Sequence, residues 1–248
     1  MPLHKPFIYA GALLACAAAL TACKSTTSSG PGTDPAPPGT APSASSSAPA
    51  AGGTGSTPTG TQLKTLMPTA AKLPKGWKLG GSSTAFDTGA KVKSPGDPLL
   101  PGKDCAQAMT NGGAKTLTSD YEASYAEQGL KSPNDTASDL IFNGYQPGDA
   151  VKQMAEVSAL VKRCASFSTH DINGKIVRMA STSSAIAGLG EQALDVKVTP
   201  TGAYVASEII LVRSGDVIMA VDANSQSGPM PALRPLAKSL AEVLPLKS

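Results

Sequence analysis

The residues with the most definite chemistry are Leu20-Thr21-Ala22-Cys23, which close a short apolar run near the start of the chain. A thiol placed directly after small residues at the end of a secretory core segment is the acceptor in bacterial lipoprotein processing. Cleavage before it leaves the lipid-modified cysteine as the new N-terminus. The flanks agree: His4 and Lys5 form a basic start, and Phe7 to Leu20 are mainly apolar. That stretch is shorter than the ~20 residues a membrane-spanning helix requires. The competing readings are an uncleaved anchor and a chance cysteine after a signal peptide. The sequence predicts a lipoprotein signal peptide over 1–22 and a lipidated Cys23 on the outer face of the cytoplasmic membrane.

Cys16 falls in the signal segment, so Cys105 and Cys164 are the pair left to the exported region. Thiols in an oxidising compartment persist as disulfides, and one Cys105–Cys164 bridge is expected. A metal site usually needs three or four ligands, and His170 is the single histidine after the signal segment. Neither a metal nor a cofactor is expected.

Acid–base candidates are sparse. His170 needs a carboxylate or nucleophile beside it that spacing does not supply, and a surface histidine is the plainer reading. Glu208 shares a strand face with Ile210 and Val212, and Glu122 on a neighbouring strand would make a carboxylate pair. Such charges are more often solvated or ion-paired. Gly188-Leu189-Gly190-Glu191-Gln192 has neither the third glycine nor the following helix of a nucleotide loop, and reads as a turn. Asn134-Asp135-Thr136 matches a glycosylation sequon, a short pattern that arises by chance. No nucleophile elbow, Ser-x-x-Lys or His-Glu-x-x-His motif occurs.

The elements that would position these groups begin late. Residues 23–60 form a tether of Ser, Thr, Pro, Ala and Gly after Cys23, with Lys24 and Asp34 as its only charges. With no large apolar side chain it cannot offset the entropy of ordering, and as a coil it spans on the order of 35 Å. Residues 61–248 form one domain. Gln62 to Met67 is a short helix, and Leu73-Pro74-Lys75-Gly76-Trp77 a turn leading Trp77 into a strand; a loop follows from Gly89 to Gly102. Asp104 caps a helix from Cys105 to Met109.

Tyr121, Ala123 and Tyr125 alternate with polar residues as a half-buried strand does, and Ala137 to Phe142 is another strand. Asp149 caps a helix whose Val151, Met154, Val157, Leu160, Val161 and Cys164 share one face, which puts Cys164 at its buried end. Asn173-Gly174 predicts a type I′ hairpin between Ala165–Ile172 and Lys175–Ser183. Strands 192–198, 203–213 and 216–222 follow, then a helix from Leu233 to Leu244. Val217 to Val221 is apolar on both faces, as a central strand under helices must be. Consecutive hairpins make the class α+β: a largely antiparallel sheet of about six strands packed with helices and one disulfide.

Charge excludes one partner class. Loss of Lys5 with residues 1–22 lowers the formal +3 by one, and the basic residues are scattered. Nucleic acid, which demands a basic stripe, is not an expected partner.

The region Leu73–Leu244 resembles the PknH-type extracellular sensor domain family, found on a mycobacterial serine/threonine kinase and as stand-alone actinobacterial lipoproteins. The likeness rests on order and spacing. It runs through Leu73-Pro74-x-Gly76-Trp77, Cys105, and the Gly148-Asp149-Ala150 helix leading to Cys164. It continues through Gly188-Leu189-Gly190-Glu191-Gln192-Ala193 and Val212-Arg213-Ser214-Gly215-Asp216-Val217. The resemblance implies an antiparallel sheet flanked by helices, with a ligand cleft. The kinase-borne domain carries a second disulfide for which this chain has no cysteines, and the kinase itself is absent.

The resulting expectation is a non-catalytic, lipid-anchored binding or sensor-like module at the cell envelope. Its partner would be the membrane through Cys23, together with a small molecule or an envelope protein. Trp77, Tyr121, Tyr125 and Tyr145 are the candidate lining of a cleft between sheet and helices, the alternative being that they are ordinary core residues. A protein-interaction accessory lipoprotein and an envelope hydrolase are the competing readings.

Overall fold

Apolar residues on both faces of its central strands oblige this sheet to be covered twice, and it is. The computed structural model describes residues 56–87, 98–110, 113–226 and 228–244. The signal segment, Cys23, most of the 23–60 tether and most of the 89–102 loop lie outside them.

The elements in chain order are α1 (Gly60–Lys64), β1 (Lys78–Leu79), β2 (Thr84–Asp87), α2 (Cys105–Thr110), α3 (Gly113–Thr118), β3 (Glu122–Lys131), β4 (Ala137–Tyr145) and α4 (Asp149–Arg163). Then come β5 (Ser166–His170), β6 (Ile176–Ala185), β7 (Gln192–Pro200), β8 (Ser207–Ser214), β9 (Val217–Asn224) and α5 (Leu233–Ala241). The strands form one antiparallel sheet ordered β1-β3-β4-β9-β8-β7-β6-β5, with β2 also on β3. Nine strands exceed the six or so expected. The excess includes β2, whose residues are all exposed and therefore show no alternation, while β1 is the strand expected after Trp77.

The topology is two blocks joined by one crossing. The β3–β4 hairpin feeds α4, which carries the chain to the far edge of the sheet. The β5-to-β9 meander then returns strand by strand until β9 pairs with β4. One face packs Ile141, Ile209, Leu211 and Ile218 against Met154, Val157 and Leu160 of α4 and Leu117 of α3. The other packs Phe142, Ile210, Met219 and Val221 under Leu233, Leu236 and Leu240 of α5, with Leu63 of α1 beside them.

Cys105 and Cys164 form the expected disulfide, their Cα atoms 5.5 Å apart, tying the start of α2 to the end of α4. Arg163 reinforces that corner by donating to the Leu100 and Lys103 carbonyls at 3.1 and 2.7 Å. Asp104 caps α2 as expected, its Oδ1 accepting from the Ala106 and Gln107 amides. Packing also reaches back to Pro58, whose carbonyl accepts from Ser124 Oγ at 2.5 Å, and Thr59 closes a capping box with Gln62.

Three local expectations are corrected. The α4 N-cap is Gly148 at φ 85°, and Asp149 is the first helical residue, its carboxylate taken by Lys152 at 3.2 Å. Val151 points to solvent, while Gln153 is fully buried. The 171–175 turn is not type I′, because only Gly174 has positive φ. Asp171 organises it instead: its carbonyl accepts from the Gly174 amide, and its Oδ1 accepts from the Asn173 and Lys175 amides, each at 2.9 Å.

Candidate functional site

Thr110 at the end of α2 and Gly113 at the start of α3 stand over the end of the sheet where β4 and β8 begin and β7 and β9 finish. A cleft of about 560 Å³ opens there. That is the size range of small-molecule sites. Its floor is apolar, from Met109, Ile141, Met179, Val198 and Ile209. Its rim is charged: Lys115, Glu127, Asp139 and Asp222. Hydroxyls reach it from Thr110 and Ser207.

Strand register places the charged groups. On the cleft face, β3 and β4 pair Gly129 with Asp139, Glu127 with Ile141, and Tyr125 with Asn143. Lys115 of α3 reaches down to Glu127 at 3.2 Å and lies 5.0 Å above the Tyr125 ring. Asp222 of β9 is held by two backbone donors, the Asp139 amide at 2.9 Å on Oδ1 and the Ala114 amide at 3.3 Å on Oδ2. It therefore stitches β4 to the start of α3.

Burial raises the Asp222 pKa, with the Asp139 and Glu127 charges adding to it against those two hydrogen bonds. Asp139 is raised by burial and by Glu127, with Lys115 opposing. Glu122, further along the same face, is pushed up to about 7 by burial, with Lys115 opposing and Glu127 adding. Burial acts to lower the Lys115 pKa, but the Glu127 hydrogen bond and charge outweigh it, and the group is raised. Among the described residues, the carboxylates lining the cleft outnumber its cations three to one.

Behind this set lies Asn143, which is fully buried, and neither its amide oxygen nor its nitrogen has a hydrogen-bond partner. Such orphaned groups are uncommon and call for a reason.

The four aromatics singled out from the sequence do not meet around one cleft. Trp77 belongs to the core under α5. Tyr121 and Tyr145 belong to the core on the opposite sheet face. Their hydroxyls are used structurally: Tyr145 donates to the Thr118 carbonyl at 2.5 Å, and Tyr121 to the Glu156 carboxylate. Tyr125 stacks on Phe86 with ring centroids 5.7 Å apart, and it is nearest the cleft, through Lys115.

Glu122 and Glu208 are not neighbours, because β4 and β9 separate their strands. Glu208 lies on the face away from Ser207 and Ile209, paired with Lys197 at 3.5 Å. His170 is exposed at the end of the outermost strand. The Gly188–Gln192 turn leads straight into β7. The groups that do meet, Lys115, Glu127, Asp139 and Asp222, carried no motif. The one available hint was an acid, Asp222, ending a run apolar on both faces.

No family model and no curated protein matches the chain. Among solved structures it is similar to the extracellular domain of PknH from Mycobacterium tuberculosis. The TM-score is 0.51 at 13% identity, covering 75% of this chain and 96% of that one. The likeness is one of fold.

Proposed function

We propose that the chain is an extracytoplasmic, lipid-anchored, sensor-like module that binds a small molecule in the α2–α3 cleft and does no chemistry on it. The observation that carries this reading is the cleft itself, apolar below and charged at the rim, built on strands of one sheet. The shared fold with a kinase's extracellular domain supports the sensor-like part. The Leu20–Cys23 segment supports the anchor. In support of a binding role, His170 and Glu208 lie away from the cleft.

Two experiments test it. Labelled fatty acid should enter the wild-type chain in an actinobacterial host and not the Cys23→Ala variant. Low-molecular-weight envelope fractions should raise the Tm of the soluble domain, since a ligand that binds only the folded state stabilises it.

One observation favours a second reading, docking to an envelope protein. The 171–175 turn and the loop before β8 expose Ile172 (101%), Ile176 (63%) and Val205 (49%) close to Tyr204. Capture of an envelope protein lost on Ile172→Glu, with no Tm shift from any extract, would favour it.

A further inference from the structure

We infer that the cleft selects an organic cation carried on an apolar body, a ligand bearing a protonated amine or amidine beside a hydrocarbon or ring system. This deepens the ligand-binding reading above and rests on it.

Charge decides the sign. Three carboxylates, Glu127, Asp139 and Asp222, share the rim with Lys115, the one cation lining the cleft among the described residues. Lys115 is committed to Glu127 at 3.2 Å and to the Tyr125 ring. Asp222 accepts from the Ala114 and Asp139 backbone amides, and among the described residues no cationic side chain bridges Asp139 or Asp222. An anionic headgroup would face net repulsion there. A cation would supply the missing charge and donate to the carboxylate lone pairs the backbone leaves open.

The apolar floor argues for an organic cation over a bare metal ion. Met109, Ile141, Met179, Val198 and Ile209 offer no ligating oxygen, and among the described residues no cluster suits a metal.

An independent observation lies deeper on the same wall. Asp139, Ile141 and Asn143 succeed one another on one face of β4, from the cleft rim to its floor and then inward. Asn143 is completely buried with both amide atoms unpartnered, directly across from Tyr125, which carries Lys115. An N–H donor of the ligand passing the Lys115–Glu127 bridge would satisfy the Asn143 oxygen, so the orphaned amide becomes the inner hydrogen-bonding end of the site.

The test uses three probes that share one hydrocarbon tail: decylammonium, decyl sulfate and decanol, each below its aggregation concentration. They are titrated into the full exported chain carrying Cys23→Ser, which removes the lipid. The readout is the NMR methyl signals of Ile141, Ile209, Met109 and Met179. Decylammonium is expected to shift them with a Kd at least tenfold below that of decyl sulfate, and to weaken with added salt. Asp139→Asn, whose backbone contact to Asp222 survives, should weaken decylammonium at least fivefold and leave decanol unchanged. Equal or tighter binding of decyl sulfate, or indifference of decylammonium to Asp139→Asn, overturns the cationic assignment while the cleft stands. If none of the three probes moves those methyls, the assignment and the cleft reading fall together.

Discussion

Asp222 and Gly113 meet where an ordinary side chain could not. A Cβ on Gly113 would lie 2.5 Å from Asp222 Oδ2, the oxygen that accepts the Ala114 amide. Gly113 also sits at φ +49°, in the left-handed region. The glycine lets β9 and α3 approach closely, and that approach shapes the cleft rim.

Gly113→Ala should therefore be costly twice over. The left-handed backbone alone costs about 1 kcal/mol for a residue with a Cβ, and displacing the Asp222 carboxylate adds to it. Denaturant unfolding should show a loss of roughly 2 kcal/mol, with altered methyl signals from Ile141 and Ile209. Gly174→Ala, in an open turn with nothing within 4 Å of its Cβ, should cost only the backbone part.

The Cys105–Cys164 bridge spans 59 residues of sequence. Constraining an unfolded loop of that length contributes roughly 4 kcal/mol by chain entropy. Cys105→Ser/Cys164→Ser should lower stability by a comparable amount in chemical denaturation. The intact mass of the oxidised chain should lie two hydrogens below the reduced one, and free alkylation of both thiols without reductant would contradict the bridge.

Glu122 should make stability fall as pH rises. Its folded carboxyl holds a proton up to about pH 7, while the unfolded group releases it near 4.5. The folded state thus binds the proton more tightly. Its contribution is whole below pH 4.5, is lost between 4.5 and 7, and is flat above. Desolvation on this scale amounts to at most roughly 3 kcal/mol. Glu122→Gln should remove that slope. The raised carboxyls Asp139, Asp222 and Glu208 slope the same way and persist in the variant, so the difference between the two unfolding curves isolates Glu122.

Asp195 anchors α5 to the sheet. Its side chain is fully buried, and Oδ2 accepts from Arg234 Nε and Nη2 at 3.1 and 2.8 Å, with Lys197 at 3.8 Å. Removing one partner of a buried ion pair costs about 3–5 kcal/mol. Arg234 is half exposed, which brings the expectation for Arg234→Ala to about 1–2 kcal/mol. A double-mutant cycle with Asp195→Ala should return most of that as coupling.

Local patterns carried much of this fold and little of its site. The Met154, Val157, Leu160 and Val161 stripe and the doubly apolar Val217–Val221 run placed α4 and β9 because their periods are dictated by burial. Cys164 at the end of that stripe placed the disulfide. The strand β2 left no periodic trace because neither of its faces is buried, whereas β1 was legible from the turn before Trp77. Trp77 and Tyr145 looked alike as buried aromatics, and only the sheet's topology puts them on opposite faces. The cleft was illegible for the same reason. Lys115 and Glu127 are close in sequence, but Asp222 reaches them only through the meander that returns β9 to β4.

The most direct test of the central claim is native mass spectrometry of the lipid-free exported chain after exposure to envelope extract, beside a Ser207→Trp variant that fills the cleft. A small molecule should be retained on the wild-type chain and lost from a folded Ser207→Trp chain. The same molecule on both chains, or none on either from any extract, would contradict it.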